Sequence, residues 1–493
     1  MVYGPELFEY TSGRWLYNES TRLAERRVVF NVDELKKAVA KCLNQPESEV
    51  REVVKLAEGG FNRVFQLTMR DGTEVLARLP YPSTKPKRFA VASEVATLEL
   101  VRSHGIPVPK VLHYSPDAEN PVGAEFIIME KLPGRPLGDQ WFSLSEDQRL
   151  KVISEVVRTE VNLSKIDLPA YGSIYYKHDL PADVSHTMFA SASDDKGFCV
   201  GPDVSLRWWY KERESLDVQR GPQEHADNLK KYLKIASYLV PQEARFHKPV
   251  LRHPDLQPNN IFVSENFDIV GMIDWQHCSV LPQFLAAGIP KYFQNYHDEE
   301  SLQFIPPQLP SNLAEMDNEE QAEVLERFRR RHLHFFYLGF TQRFHPAHFE
   351  ALNRRTDLLT RKLVNHAGEP WEGNNIPLKS DLIHITQVWR ELMEDNGYDQ
   401  ETLPSCPISF TEAEVQRTIG ILGQQEDTDT QLSDVRDAIG ITVDGWTSNE
   451  EYDNAVEHAR LIKRQGLESL DTEEEKEMTL KHWPFDDFDE EDL

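Results

Sequence analysis

The sequence predicts an α+β chain of two lobes, a small antiparallel sheet followed by a larger, mainly helical part. Three stretches predict it. From Val50 to Leu79, short apolar runs are broken at Gly59-Gly60 and Asp71-Gly72, which reads as strand, glycine loop, strand, tight hairpin and returning strand. From Leu144 onward the apolar spacing turns helical. Inside that helical part, Val250–Trp275 reads as a second hairpin, with strands Ile261-Phe262-Val263 and Ile269–Ile273 around a turn at Ser264–Asn266.

At 493 residues and 40% hydrophobic, with 24 Phe and 16 Tyr, the chain is long and apolar enough for two cores. No run approaches the ~18 apolar residues that span a bilayer. The opening M-V-Y-G-P-E-L-F-E-Y has neither an apolar signal core nor the composition of a transit peptide, so the chain reads as soluble, intracellular and cytoplasmic. Cys42, Cys199, Cys278 and Cys406 are scattered without a C-x-x-C pair, which points away from a disulfide framework and toward a reducing compartment. A net charge of −28 opposes nucleic-acid binding, which needs cations against phosphates. The one basic cluster, Arg329-Arg330-Arg331, reads as a solvated helix face beside Glu326.

Taken in order, residues 1–50 read as an extension with aromatic anchors and one helix, capped by Asn31 or Asp33, that packs on the smaller lobe. Residues 51–131 form the smaller lobe. After its third strand comes a helix from Phe89 to His104 with Val91, Val95, Leu98 and Val101 on one face, then the apolar strand Glu125–Met129. Residues 132–400 form the larger lobe, opened by a helix capped at Ser145. It is interrupted near 171–223 by an irregular insertion whose Trp208, Trp209 and Tyr210 are candidate pocket residues. Helices are expected over Asn318–Phe340, Phe349–His366 and Ile383–Asp395. Residues 401–493 read as a helical extension, with helices over Glu412–Gln425 and Glu450–Leu467, and an acidic tail. Between Asp471 and Leu493 stand 11 acidic against 2 basic residues, with Trp483, Phe485 and Phe488 among them. That stretch reads as one that packs or binds a protein partner through its aromatic residues, or as a loosely ordered tail.

The chemistry lies in the second hairpin. His253 and Asp255 come first, Asn260 follows Asp255 by five residues, and Asp274 closes the second strand. This is H-x-D-x-x-x-x-N plus a strand-end Asp, the set that phosphoryl transfer uses in the protein-kinase-like fold. A carboxylate receives the proton of the attacking hydroxyl, and a few oxygens hold Mg²⁺ on the phosphates. Asp255 suits the first role, Asn260 and Asp274 the second.

H-P-D-L-Q-P-N-N followed by M-I-D-W resembles the motif of the aminoglycoside phosphotransferase family. Y-T-S-G-R-W, G-G-F-N-R-V-F, A-R-L-P-Y-P, G-R-P-L and W-Q-H-C-S-V-L-P resemble its fungal branch. The likeness runs from Tyr10 to beyond Gly339. It implies a bilobal protein-kinase-like fold and an ATP- and Mg²⁺-dependent phosphotransferase acting on a hydroxyl of a small-molecule acceptor. Mitochondrial placement is implied by the fungal branch alone. Gly59, Gly60, Phe61 and Asn62 would then cover the nucleotide, and Met129, Glu130 and Lys131 would form the hinge that reads adenine. Arg78 occupies the place of the usual strand lysine, and Glu94, with Glu99 as rival, is its partner on the helix. Two departures matter. Arg78 replaces Lys, and P-Q-F-L-A-A-G-I-P replaces the acidic stretch after the final Asp, so an antibiotic-like acceptor does not carry over. They motivate an alternative, a nucleotide-binding regulatory or scaffold protein without efficient catalysis. A protein kinase is the third reading, set back by the lack of D-F-G and A-P-E.

Overall fold

The computed structural model describes residues 4–190, 197–209, 222–369 and 374–488. The chain enters through strand β1 (Arg14–Trp15), helix α1 (Glu19–Glu25) and helix α2 (Val32–Cys42). Asn31 is the cap of α2, its side chain accepting the N–H groups of Asp33 and Glu34 at 3.1 Å each.

Strands β2 (Val50–Glu58), β3 (Asn62–Met69), β4 (Glu74–Pro80), β5 (Val111–Ser115) and β6 (Phe126–Glu130) form one antiparallel sheet in the order β2-β3-β4-β6-β5. Gly72, at φ +89°, makes the tight β3–β4 turn that Asp71-Gly72 predicts. Side chains alternate across the sheet. One face, with Phe65, Leu67, Ala77 and Ile128, packs on Leu35 and Val39 of α2. Cross-strand pairs Val64↔Arg78, Gln66↔Leu76 and Leu76↔Met129 put those residues on the other face.

Helix α3 (Phe89–Ser103) joins β4 to β5 and is buried along its whole run from Ala90 to Val101. The Val91–Val95–Leu98 stripe predicts burial on one face only. The second face is covered by the segment read as irregular, which instead folds into strands β8 (Ser173–Tyr176), β9 (Thr187–Met188) and β10 (Phe198–Gly201), in the order β8-β10-β9. Ala92 packs there with Tyr175, Leu180, Cys199 and Val204. The Phe89 ring lies 6.1 Å from Tyr175 and 6.3 Å from Trp209.

Strand β7 (Arg135–Pro136) and helix α4 (Glu146–Leu163) open the larger lobe. Ser145 and Gln148 close a capping box at the start of α4. Two short helices, α5 (Leu206–Trp209) and α6 (Pro222–Ile235), precede strands β11 (Pro249–Leu251), β12 (Ile261–Val263), β13 (Ile269–Met272) and β14 (Val280–Pro282). β12 pairs with β13 and β7, and β11 with β14. The remaining helices are α7 (Gln283–Ala286), α8 (Glu299–Leu302), α9 (Asn318–Phe344), α10 (Pro346–Leu352), α11 (Asp357–Gly368), α12 (Ile376–Gln387), α13 (Trp389–Asp395), α14 (Glu412–Ile439), α15 (Tyr452–Glu468) and α16 (Glu473–Lys481). The Phe349–His366 and Ile383–Asp395 patterns, each expected as one helix, are split between α10/α11 and α12/α13. Helix α14 continues past Gln425 through the polar run 426–431, packs Leu432, Val435 and Ile439 into the cluster around Tyr17, and ends at Gly440 in the left-handed region.

The two ends of the chain meet. β1 pairs with strand β15 (Trp446–Thr447), and the buried Trp15 donates its indole N–H to Asp444 at 3.1 Å. The acidic stretch is anchored near its end, although α16 itself buries no residue. Phe485 is buried with Tyr17 and Ile439, and Lys463 pairs with Asp486. Residues 489–493 of the tail lie outside the described residues, as does Tyr210. Among the described residues no helix is long and apolar enough to cross a membrane.

Burial of both α3 faces has a testable consequence. Ala92→Gln, harmless if α3 were a surface helix, should cost about 1–3 kcal/mol through overpacking against Tyr175 and Val204. A denaturant midpoint unchanged from the parent would show that the small sheet is not packed on α3.

Candidate active site

His253 is a strut. Its Nε2–H donates to the Ile273 carbonyl at 2.8 Å, and its Nδ1 accepts the Asp255 N–H at 3.1 Å. Its ring lies edge-on to Trp275 at 4.6 Å. Burial pushes the imidazole pKa down, so the ring is neutral with its tautomer fixed by these two bonds. The loop carrying Asp255 is thereby tied to the residue before Asp274. The Ile273 N–H adds a bond to the Asn260 carbonyl at 3.0 Å.

Asn260 is buried, and its Nδ2 donates to the Asp255 carbonyl at 2.9 Å and to Asp255 Oδ2 at 3.2 Å. Gln257 Nε2 also donates to Oδ2, at 2.5 Å. Asp255 is therefore an exposed carboxylate with one oxygen held. With Nδ2 committed, the Oδ1 of Asn260 is the atom left for a ligand. Asp274 follows β13 at φ +65°, and His277 has φ +61°. Two non-glycine residues in the left-handed region bend the chain sharply after the strand, a cost of order 1–3 kcal/mol each that packing elsewhere offsets.

Across the cleft, Arg78 on β4 bonds Glu94 of α3 through Nη2. The same nitrogen donates to Gln276 Oε1 at 3.1 Å, and Nη1 lies 3.7 Å from Asp274 Oδ1. Glu99 instead pairs with Arg102, one turn along, at 3.2 Å. Helix rotation thus decides between the two glutamates in favour of Glu94. Burial raises the Glu94 carboxyl to about 7, Arg78 pulls it down, and Asp274 adds to the rise.

The glycine loop bridges the lobes. Gly59 N–H donates to the Asn62 carbonyl at 2.9 Å, and a Cβ built at Gly60 would meet nothing within 4 Å. Asn62 Nδ2 donates to Gln276 Oε1 at 2.6 Å, and the Phe61 ring meets His277 edge-on at 5.4 Å. At the foot of the loop, the buried Glu58 carboxylate accepts from Thr11 N–H at 2.9 Å and Ser12 Oγ at 2.7 Å, and pairs with Lys55 and Arg63 at 3.0 Å each. Glu58 belongs to no motif, and Gln276, although it stands in W-Q-H-C-S-V-L-P, takes no role from it; the contacts of the two residues mark them.

Of the hinge residues, Met129 is buried. Glu130 exchanges bonds with Lys110 at 2.9 and 3.0 Å, and Lys131 Nζ reaches Gln66 at 2.9 Å and Glu74 at 2.8 Å. Those side chains are occupied by the sheet. A Cβ added at Gly271 would collide with Leu132, so Leu132 and Phe262 lie directly on that glycine. Trp208 is 47% exposed and donates to Asp203 Oδ2 at 3.2 Å, whereas the Trp209 indole is tied to the Asp203 carbonyl at 2.8 Å.

The chain can now be set beside known proteins. Residues 52–283 match the model of the phosphotransferase enzyme family. Every residue of the cleft described above falls within this family span, and the resemblance read from the sequence motifs is borne out. The chain is 28% identical to a subtelomeric hrmA-associated cluster protein of Aspergillus fumigatus, over 88% of this chain and 97% of that one. It is 22% identical to the altered inheritance of mitochondria protein 9, mitochondrial, of Yarrowia lipolytica, over 83% of this chain and 80% of the relative. Among solved structures, a streptomycin–ATP–APH(2″)-IIa complex aligns at 15% identity and a TM-score of 0.34, covering 74% of this chain and 99% of that one. The fold therefore stands on the strand order above rather than on this superposition.

The raised Glu94 carboxyl fixes the sign of a pH effect. Between its ordinary 4.5 and about 7, the folded chain binds a proton that the unfolded chain releases. That stability is present at the acid end and lost as pH rises through about 7. The stability difference between the parent and Glu94→Gln should therefore fall from about pH 5 to about pH 8, as read from urea midpoints. A difference independent of pH would show that Arg78 keeps Glu94 ionised throughout.

Proposed function

We propose that this chain transfers the γ-phosphoryl group of ATP to a hydroxyl of a small-molecule acceptor, with Mg²⁺ as cofactor. The observation that carries the reading is the convergence of Arg78–Glu94, Asp274 and the Asp255–Asn260 pair on one cleft under the glycine loop. The sheet face bearing Arg78 also bears Val64, Leu76 and Met129, an apolar surface suited to a purine, and Leu132 and Phe262 pack together on Gly271 of the second hairpin.

The residues present fit the cation. Among the described residues no three His, Cys, Asp or Glu side chains cluster as a protein-only metal site. Mg²⁺ bound to a nucleotide keeps phosphates and waters as ligands and needs only one or two protein oxygens. Asn260 Oδ1 and the 41% exposed Asp274 carboxylate would hold it, and its charge would offset that of the nucleotide phosphates. Arg78 binds phosphate oxygens through its remaining donors, with Glu94 keeping the guanidinium from leaving the cleft. Asp255, oriented by Asn260 and Gln257, orients the acceptor hydroxyl and takes its proton as the new O–P bond forms and the bond from the γ-phosphorus to the bridging β-phosphate oxygen breaks, with ADP as the leaving group.

Two substitutions test these roles. Asp255→Asn should keep ATP affinity and lower turnover ~10²–10⁴-fold over a panel of small hydroxyl acceptors. Near-parental turnover would remove Asp255 from the reaction. Asp274→Ala should weaken ATP binding in Mg²⁺ much more than in EDTA, measured by calorimetry, and equal losses in both would make Asp274 structural.

A further inference from the structure

Gln276 stands two residues past Asp274 and is 5% exposed. Its amide oxygen accepts two bonds at once, from Asn62 Nδ2 at 2.6 Å and from Arg78 Nη2 at 3.1 Å. Asn62 follows Gly59-Gly60-Phe61 directly, so the loop over the cleft and the cation beneath it end on one atom of the larger lobe. The edge-on contact of Phe61 with His277 reinforces the junction, and the Nδ1–H of His277 is anchored on the Val204 carbonyl at 2.9 Å.

The chemistry of position 78 explains why an acceptor is needed there. A lysine offers one compact ammonium, whereas a guanidinium offers five donors in a rigid fork. Here Nη2 is shared between Glu94 and Gln276 while Nη1 faces Asp274. A neutral amide oxygen holds the fork without cancelling its charge. A carboxylate at 276 would cancel it, and a hydrocarbon would leave the Asn62 amide, whose Oδ1 is already buried without a partner, with no acceptor for Nδ2.

We propose that Gln276 is a positioning residue of the nucleotide site. It sets the direction of the Arg78 fork and the height of the glycine loop together, so that Arg78 presents its remaining donors to the phosphates of a nucleoside triphosphate. The ligand in this statement rests on the phosphotransferase reading; the junction itself does not.

The test uses the full chain in five forms, parent, Gln276→Ala, Gln276→Glu, Arg78→Lys and the Gln276→Ala/Arg78→Lys double variant, and two readouts. Hydrogen exchange at Gly59–Asn62 is followed without nucleotide, and affinities for ATP and adenosine are measured by calorimetry. Gln276→Ala should speed exchange in the loop and weaken ATP binding roughly tenfold, the size of one hydrogen bond to a charged group, with adenosine unchanged. Gln276→Glu keeps both bonds, so it should restore loop protection while ATP affinity stays low, because the added charge faces the phosphates. Adding Arg78→Lys to Gln276→Ala should cost less than Arg78→Lys costs alone, since both act through one contact. Unchanged loop exchange in Gln276→Ala, equal losses for ATP and adenosine, or full additivity with Arg78→Lys would each overturn the assignment. A parent that binds no ATP sinks the phosphotransferase reading together with the ligand. A parent that binds ATP no better than Gln276→Ala sinks this inference alone. If Gln276→Ala does not fold, Gln276→Asn, which withdraws the oxygen by one methylene, serves the same comparison.

Discussion

Arg78 sits where the two lobes meet, and its guanidinium faces acceptors from both: Glu94 on α3, and Gln276 and Asp274 just past β13. A charge placed there has to be paired, because α3 is buried on all sides and an unpartnered cation against it would carry a desolvation penalty of several kcal/mol. That pairing ties β4 to α3 within the smaller lobe and to the larger lobe at the same time. The Glu94 carboxyl, raised by burial and held by Arg78, answers to Asp274 as well, so the electrostatics of the two lobes are coupled through one side chain. The scaffold alternative and the enzyme reading diverge on this atom group: a fork fully consumed by protein acceptors binds no phosphate, and a fork with donors to spare does.

The position of Glu94 is itself secured by the insertion. The three-stranded sheet β8-β10-β9 covers the α3 face that the smaller lobe leaves open, and Arg88 at the start of α3 bonds the Asp179 carbonyl at 3.2 Å and Asp117 at 3.0 Å. Packing on two faces leaves the helix little room to swing. The larger lobe secures Asp255 by comparable means. Arg252, the residue before His253, bonds the buried Glu160 of α4, whose other oxygen accepts from Tyr337 of α9 at 2.7 Å. These buried polar groups satisfy one another and tie the loop carrying Asp255 to α4 and α9.

The chain ends also bear on the site. Thr11 and Ser12 hold Glu58 at the foot of the glycine loop, Asn449 Nδ2 donates to the Thr11 carbonyl at 2.8 Å, and β1 pairs with β15. Residues more than 400 positions apart therefore brace the same hairpin. The packed part of the acidic stretch contributes through Phe485 against Tyr17, which gives its aromatic residues a structural role.

By itself, the sequence determined everything that local spacing can encode. The β2–β3–β4 hairpins follow from alternation and from Asp71-Gly72, the cap at Ser145 from a side chain that reaches back to its own backbone, and the residues His253, Asp255, Asn260 and Asp274 from a motif confined to one short hairpin. Tertiary structure decided what depends on rotation, on contacts between distant segments, or on burial from a second side. Glu94 rather than Glu99 faces Arg78 because α3 is turned by packing that its apolar stripe does not specify. Strands β8, β9 and β10 formed within the segment read as irregular because β8 and β10 gain a buried face against α3. Phe349–His366 and Ile383–Asp395 broke into shorter helices although their periodicity continues. The roles of Gln276 and Glu58 stayed unread, Gln276 even inside a motif, because each works by meeting partners from elsewhere in the chain, and a hydrogen-bond acceptor leaves no periodic trace in the sequence.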